Sequence, residues 1–114
     1  MLKIAFVALA LVAHPSLTMA QDLTGTLKKI KENGYITLGY RDESVPFSYL
    51  DDQNKPVGFA MDICAKIVEA VKNKLSLDKL GGKLNQVTPS TRIPLLANGT
   101  IDLECGNTTN NAER

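Results

Sequence analysis

From Tyr35 onward the chain alternates between short extended stretches and helical ones, and this alternation limits the fold more than any single motif does. Tyr35-Ile36-Thr37-Leu38-Gly39-Tyr40, rich in β-branched and aromatic residues, reads as a strand. Residues 60–75 read as a helix. Ile63, Ile67, Val68, Val71 and Leu75 recur at the 3.6-residue period, with Lys66, Glu69, Lys72, Asn73 and Lys74 on the opposite side. Gly81-Gly82 is expected to break the chain. Residues 83–87 alternate as a second strand, and a loop from Thr88 leads into a short helix with Pro94 in its first turn and Gly99 after its end. Residues 101–105 form a last strand, entered from an Asn98-Gly99 turn. Strands joined by helices imply an α/β fold with a mainly parallel sheet and right-handed crossovers.

Two further segments complete the pattern. Residues 22–33 read as a first helix, capped by Thr26, with Leu27 and Ile30 three apart and Gly34 at the position where a helix stops. Residues 41–46 read as a polar loop. Residues 47–50 and 57–59 flank Asp51-Asp52-Gln53-Asn54-Lys55-Pro56 as a hairpin or long turn. There is no internal repeat, low-complexity tract or linker.

Residues 1–20 have a different character. Lys3 supplies a positive start, residues 4–13 are a continuous apolar run too short to span a bilayer, and Thr18-Met19-Ala20 places small residues where a signal peptidase reads. We expect a signal peptide over residues 1–20, cut after Ala20, and a mature domain over residues 21–114. No cysteine follows the apolar run, so no lipid anchor is expected. In an exported protein Cys64 and Cys105 can pair, but spacing alone does not set their separation; a bridge and two buried thiols both fit.

The formal charge of +1 leaves no basic excess for nucleic acid, and the absence of Trp argues against a base-stacking surface. Catalysis has little support. The single histidine, His14, is in the leader, and no serine or cysteine has a candidate base beside it. The paired acids Asp42-Glu43 and Asp51-Asp52 fall in turns, where acids usually cap. No spacing suits a metal, and no glycine loop has phosphate-binding spacing. No catalytic residue, cofactor or metal is expected.

The arginines are distributed differently from the lysines. Only three of the thirteen Lys and Arg residues are arginine: Arg41, Arg92 and Arg114. Each follows the carboxyl end of an expected strand, whereas the lysines of the mature domain lie on helices or in turns, Lys83 excepted. Ligands of open α/β sheets bind at that carboxyl edge. A guanidinium fork matches a carboxylate with two bonds, which lysine cannot do. Convergence of the three suggests a small anionic ligand. Thr109 and the backbone N–H groups of the polar loop 106–111 would complete the site.

These residues together resemble the periplasmic amino-acid-binding proteins of ATP-binding-cassette importers, solute-binding family 3, in particular the glutamate/aspartate-binding branch. The resemblance rests on Gly25-Thr26-Leu27-Lys28-Lys29-Ile30, Val45-Pro46-Phe47-Ser48, Arg92-Ile93-Pro94-Leu95-Leu96, Glu104-Cys105-Gly106 and Thr108-Thr109-Asn110-Asn111-Ala112-Glu113-Arg114. The family signature appears as Gly58-Phe59-Ala60-Met61-Asp62-Ile63, with Ala60 in place of its first acid. The resemblance implies a type II periplasmic-binding-protein fold of two α/β lobes closing on ligand, of which this chain would be the first part of lobe one. It implies that Arg41 and Arg92 hold a side-chain carboxylate and that Thr109 and Arg114 hold an α-carboxylate. It also implies a membrane permease as partner, a monomer, and a periplasmic location.

Two residues depart from the branch: Asn107, which can still donate and accept and is expected among the ligand-binding residues, stands where serine is usual, and Pro89 stands where a ligand-touching serine is frequent. In the branch the cysteine equivalent to Cys105 pairs with one much later in the chain, and Cys64 is an addition. Two other classes share the fold: a ligand-sensing receptor ectodomain and a dehydratase-type enzyme. The mature residues alone are expected neither to fold stably nor to bind, since they would form one wall of a cleft and leave a sheet edge open.

Overall fold

The computed structural model describes residues 22–113. The expected leader with its cut after Ala20, and Arg114, lie outside these residues. The elements run α1 (Gly25–Asn33), β1 (Tyr35–Tyr40), β2 (Glu43–Ser44), β3 (Ser48–Leu50), β4 (Pro56–Val57), α2 (Phe59–Lys74), β5 (Gly81–Gln86), α3 (Arg92–Ala97) and β6 (Leu103–Cys105).

The main sheet is parallel, in the order β5-β1-β6. Its register runs from Tyr35 opposite Gly81 to Tyr40 opposite Gln86 on one side of β1, and from Leu38 opposite Leu103 to Tyr40 opposite Cys105 on the other. Three strands therefore end together, after Tyr40, Gln86 and Cys105, and the loops that leave them share one edge. Gly81-Gly82 starts β5 instead of breaking the chain. The ladder of β1 supplies its bonds, and Gly81 N–H also donates to Gly34 C=O at 3.1 Å.

A second small sheet, β2-β3-β4, is antiparallel. The expected hairpin is its β3-β4 arm. Asp51 holds the turn, its Oδ1 accepting from the N–H groups of Gln53 and Lys55, both at 2.9 Å. The loop expected over residues 41–46 contains β2, which pairs Glu43 with Tyr49 and Ser44 with Ser48.

Helix α1 starts at Gly25 with Thr24 at its cap position, so Thr26 lies inside it and not at its cap. Helix α2 differs from expectation in the face it buries. Ala60, Cys64 and Leu75 are buried, with Met61, Val68 and Val71 packed against the core, while Ile63 and Ile67 are exposed. The reason is a disulfide between Cys64 and Cys105, with Cα atoms 6.1 Å apart. It ties the helix to the end of β6 and turns the row of Ala60, Cys64 and Val68 inward, leaving Phe59, Ile63 and Ile67 outward. Of the two states that spacing left open for these cysteines, the structure shows the bridge. The start of α2 is docked on the preceding turn: Phe59 N–H donates to Pro46 C=O at 2.9 Å and Ala60 N–H to Phe47 C=O at 2.8 Å. Gly58 has φ 121°, and a Cβ there would lie 2.5 Å from Phe47 O, so only glycine fits.

The core lies between the sheet and the first two helices: Ile30, Ile36, Leu38, Cys64, Leu75 and Cys105. On the other face Val87 and Ile101 are buried against Gly39. No helix among the described residues is long and apolar enough to cross a membrane.

Candidate functional site at the carboxyl edge of the sheet

The site is built from the loops after β1, β5 and β6. Arg41 leaves β1 at Tyr40, and its backbone is clamped by Ser48, the first residue of β3. Arg41 N–H donates to Ser48 Oγ at 2.9 Å, and the same hydroxyl donates to Arg41 C=O at 3.2 Å. Ser48 is fully buried, so water does not compete for these bonds.

Arg92 is the first residue of α3 and is buried. The turn before it is held by its own hydroxyls. Thr88 N–H donates to Thr91 Oγ1 at 2.9 Å, Thr91 N–H donates to Thr88 Oγ1 at 3.2 Å, and Arg92 N–H donates to Thr88 C=O at 3.1 Å. Pro89 is exposed within this turn and brings no N–H to it.

The two guanidinium groups meet at Asn107, in the loop after β6. Arg41 Nη1 and Arg92 Nη1 each donate to Asn107 Oδ1, both at 3.3 Å. The Nε atoms of both arginines are buried without a hydrogen-bond partner, as are Glu104 Oε1 and Thr108 Oγ1. Buried polar atoms are paired in about nine cases of ten, so a cluster of unpartnered ones in consecutive parts of one loop system is a signal. A Cβ at Gly106 would collide with Glu104 Oε1 and lie 3.2 Å from Arg41 Cγ. A side chain at Gly106 would have to displace the Glu104 carboxylate and press on the arginine stem. The disulfide holds the strand end immediately before it.

Of the residues expected at the site, Arg41, Arg92 and Asn107 come together. Thr109 is exposed two residues further along the same loop, and Arg114 lies outside the described residues. Ser48 is a positioning residue that the sequence reading missed. Its only sign was its place in Val45-Pro46-Phe47-Ser48. A cleft of about 410 Å³ lies elsewhere, at the start of α1 and the end of α2, lined among others by Leu23, Leu27, Lys31 and Leu75. It contains none of the unpartnered donors. No group of His, Cys, Asp or Glu among the described residues could hold a metal ion.

Residues 36–114 match the family model described as bacterial extracellular solute-binding proteins, family 3. The chain belongs to this family. Among curated members, an L-glutamate/L-aspartate-binding protein of Pseudomonas aeruginosa is 56% identical over the whole chain, which covers 37% of that relative. A glutamate/aspartate import solute-binding protein of Escherichia coli K12 is 51% identical over 98% of the chain and 38% of the relative. The chain thus spans well under half the length of these family members. Among solved structures, the arginine-bound form of domain 1 from TmArgBP, the ArgBP of T. maritima, matches 75% of this chain and 63% of that one, at 28% identity and a TM-score of 0.62. The parallel sheet with flanking helices is that of a type II periplasmic binding protein, in the part the chain spans.

Proposed function

We propose that this chain is the first part of lobe one of an extracytoplasmic solute-binding protein that captures glutamate or aspartate. It would deliver them to the membrane permease of an ATP-binding-cassette importer. The observation that carries this reading is the convergence of Arg41 and Arg92, from two different strand ends, on one oxygen, with both Nε donors unpartnered. Two forks with spare donors suit a group of two anionic oxygens. Arg41 and Arg92 would take the side-chain carboxylate, and Thr109 and Arg114 the α-carboxylate, with Asn107 as the residue that joins the two forks. The names of the curated relatives support an acidic amino acid as ligand.

In this reading the parent protein is a monomeric binding protein and not an enzyme, and its leader is removed after Ala20. Residues 21–114 alone would leave the ligand on one open wall. Domain 1 of TmArgBP is known in an arginine-bound form, and that chain is longer than the part matched here. A complete first lobe, more than this chain supplies, would then be the smallest unit that holds ligand.

The test is calorimetry on the parent protein. Arg92→Lys keeps the charge and loses the fork, and should weaken glutamate binding by about 1.5–3 kcal/mol, or about 10- to 150-fold. A variant that binds glutamate as tightly as wild type rejects the assignment.

A further inference from the structure

The bond pattern at Asn107 raises a question that the ligand set alone does not answer. One neutral amide oxygen sits between two cationic forks, at 3.3 Å from each. Bonds from a guanidinium to a carboxylate are typically about 2.7–2.9 Å. The amide is therefore a loose partner for both arginines and a full partner for neither. It engages one Nη1 of each and leaves both Nε atoms without a bond. A carboxylate brings a negative charge and a second oxygen, so it can accept from Nη and Nε of one fork side by side. The amide oxygen and a carboxylate oxygen cannot share the space between the guanidinium groups.

We propose that Asn107 is an internal placeholder: its side chain holds the carboxylate seat between Arg41 and Arg92 and swings out as a dicarboxylate enters. This rests on the binding reading above and adds to it the residue that sets the rate of capture. Three features of the chain support the role. Asn107 is exposed, so its amide can move into water without crossing packed atoms. It follows Gly106, and the strand end behind it is fixed by the Cys64–Cys105 bridge. Ser48 fixes the Arg41 backbone and the Thr88–Thr91 turn fixes that of Arg92, so both forks hang from held backbone, whereas the amide stands exposed on a loop.

A competitor that binds only the ligand-free protein lowers the competent fraction, and the apparent dissociation constant rises by the inverse of that fraction. When the competitor exchanges fast, the whole effect appears in the association rate. Removal of a side chain that touched bound ligand would instead raise the dissociation rate. Stopped-flow binding of glutamate to the parent protein separates the two. Asn107→Ala should associate about tenfold faster, with the dissociation rate unchanged within about twofold. Asn107→Asp puts a carboxylate of similar shape on the same stem and should slow association by at least about 100-fold. If wild type binds and Asn107→Ala associates no faster, or dissociates faster, the placeholder is wrong and the binding reading stands. If neither wild type nor Asn107→Ala binds glutamate or aspartate, the binding reading falls and the placeholder with it.

Discussion

The two ends of the parallel sheet use positive charge in opposite ways. At the amino end Lys29, on α1, lies 2.5 Å from Asp102 Oδ1 and donates to Gly99 C=O at 2.8 Å. Asp102 is almost wholly buried, and its Oδ2 accepts from Thr37 N–H at 2.9 Å while its own N–H donates to Thr37 C=O at 2.8 Å. Asp102 Oδ1 is held by the ion pair with Lys29 without a hydrogen bond of its own, and the cluster joins α1, β1 and the start of β6. At the carboxyl end Arg41 and Arg92 share one amide oxygen and keep buried Nε donors unpartnered. A cation with a buried counter-charge stabilises the fold. Arg92 is buried and Arg41 half-buried, and neither has a carboxylate in ion-pair range among the described residues. The choice of residue follows: a compact ammonium suits a single carboxylate contact, and a planar fork suits an incoming ligand with two oxygens.

The largest expected effect tests the amino end. Lys29→Met leaves the buried Asp102 carboxylate with only a backbone N–H. Losing one partner of a buried ion pair costs about 3–5 kcal/mol, and the low end applies because Lys29 is 39% exposed and water reaches its side of the pair. Denaturant unfolding of the parent protein should show a loss of about 3 kcal/mol, with glutamate affinity measured on the folded variant unchanged. A variant of full stability with impaired binding would break the comparison, because the amino end would then serve the ligand.

Much of this division could be read from the chain, and the failures have a common cause. Strand β1 was legible to the residue because Gly34 stops the helix before it and β-branched and aromatic side chains fill it. The meeting of Arg41 and Arg92 at one sheet edge was legible because each follows the end of a strand in an alternating pattern. Helix α2 was legible in extent to within one residue at each end, but not in orientation. Its rows Phe59-Ile63-Ile67 and Ala60-Cys64-Val68 share the helical period, and the choice between them depends on Cys105, 41 residues away. The two-residue strand β2 carries no period to detect. Ser48 escaped notice because its role is two bonds to the backbone of another segment, and a serine in a short strand carries no mark of that. Local patterns were legible, and contacts between distant segments were not.

The next effect in size lies at the carboxyl end and sharpens the comparison, since Ser48 serves the fold and the site together. Ser48→Ala removes both bonds to the Arg41 backbone and leaves its N–H buried without an acceptor. Stability should fall by about 1–2 kcal/mol. Unlike Lys29→Met, this variant should also bind glutamate several-fold more weakly, because the Arg41 fork loses its aim. Calorimetry at a temperature where the variant is folded measures this. Equal affinity would show that the side chain of Arg41 is positioned without its backbone clamp.

The smallest effect belongs to Lys83, on β5. Lys83 Nζ lies 3.5 Å from the centroid of the Tyr35 ring. Lys83 pairs with Thr37, and Tyr35 precedes Thr37 by two residues on the same face, so the contact is a diagonal one across neighbouring parallel strands. Lys83 is exposed, which places this cation–π contact near about 0.5–1 kcal/mol. Among the described residues β5 pairs only with β1, so Lys83 also sits on an open strand edge, where a lysine discourages pairing with another chain. A double-mutant cycle of Lys83→Met and Tyr35→Leu isolates the contact from the edge effect, and should give a coupling of about 0.5 kcal/mol with glutamate affinity unchanged in all three variants. Lys83→Arg should retain most of the coupling, because a guanidinium also stacks on a ring. If the cycle shows no coupling while Lys83→Met increases association between copies, the lysine guards the edge and the ring contact is incidental. If glutamate affinity changes with Lys83, the separation of fold and ligand between the two ends of the sheet does not hold.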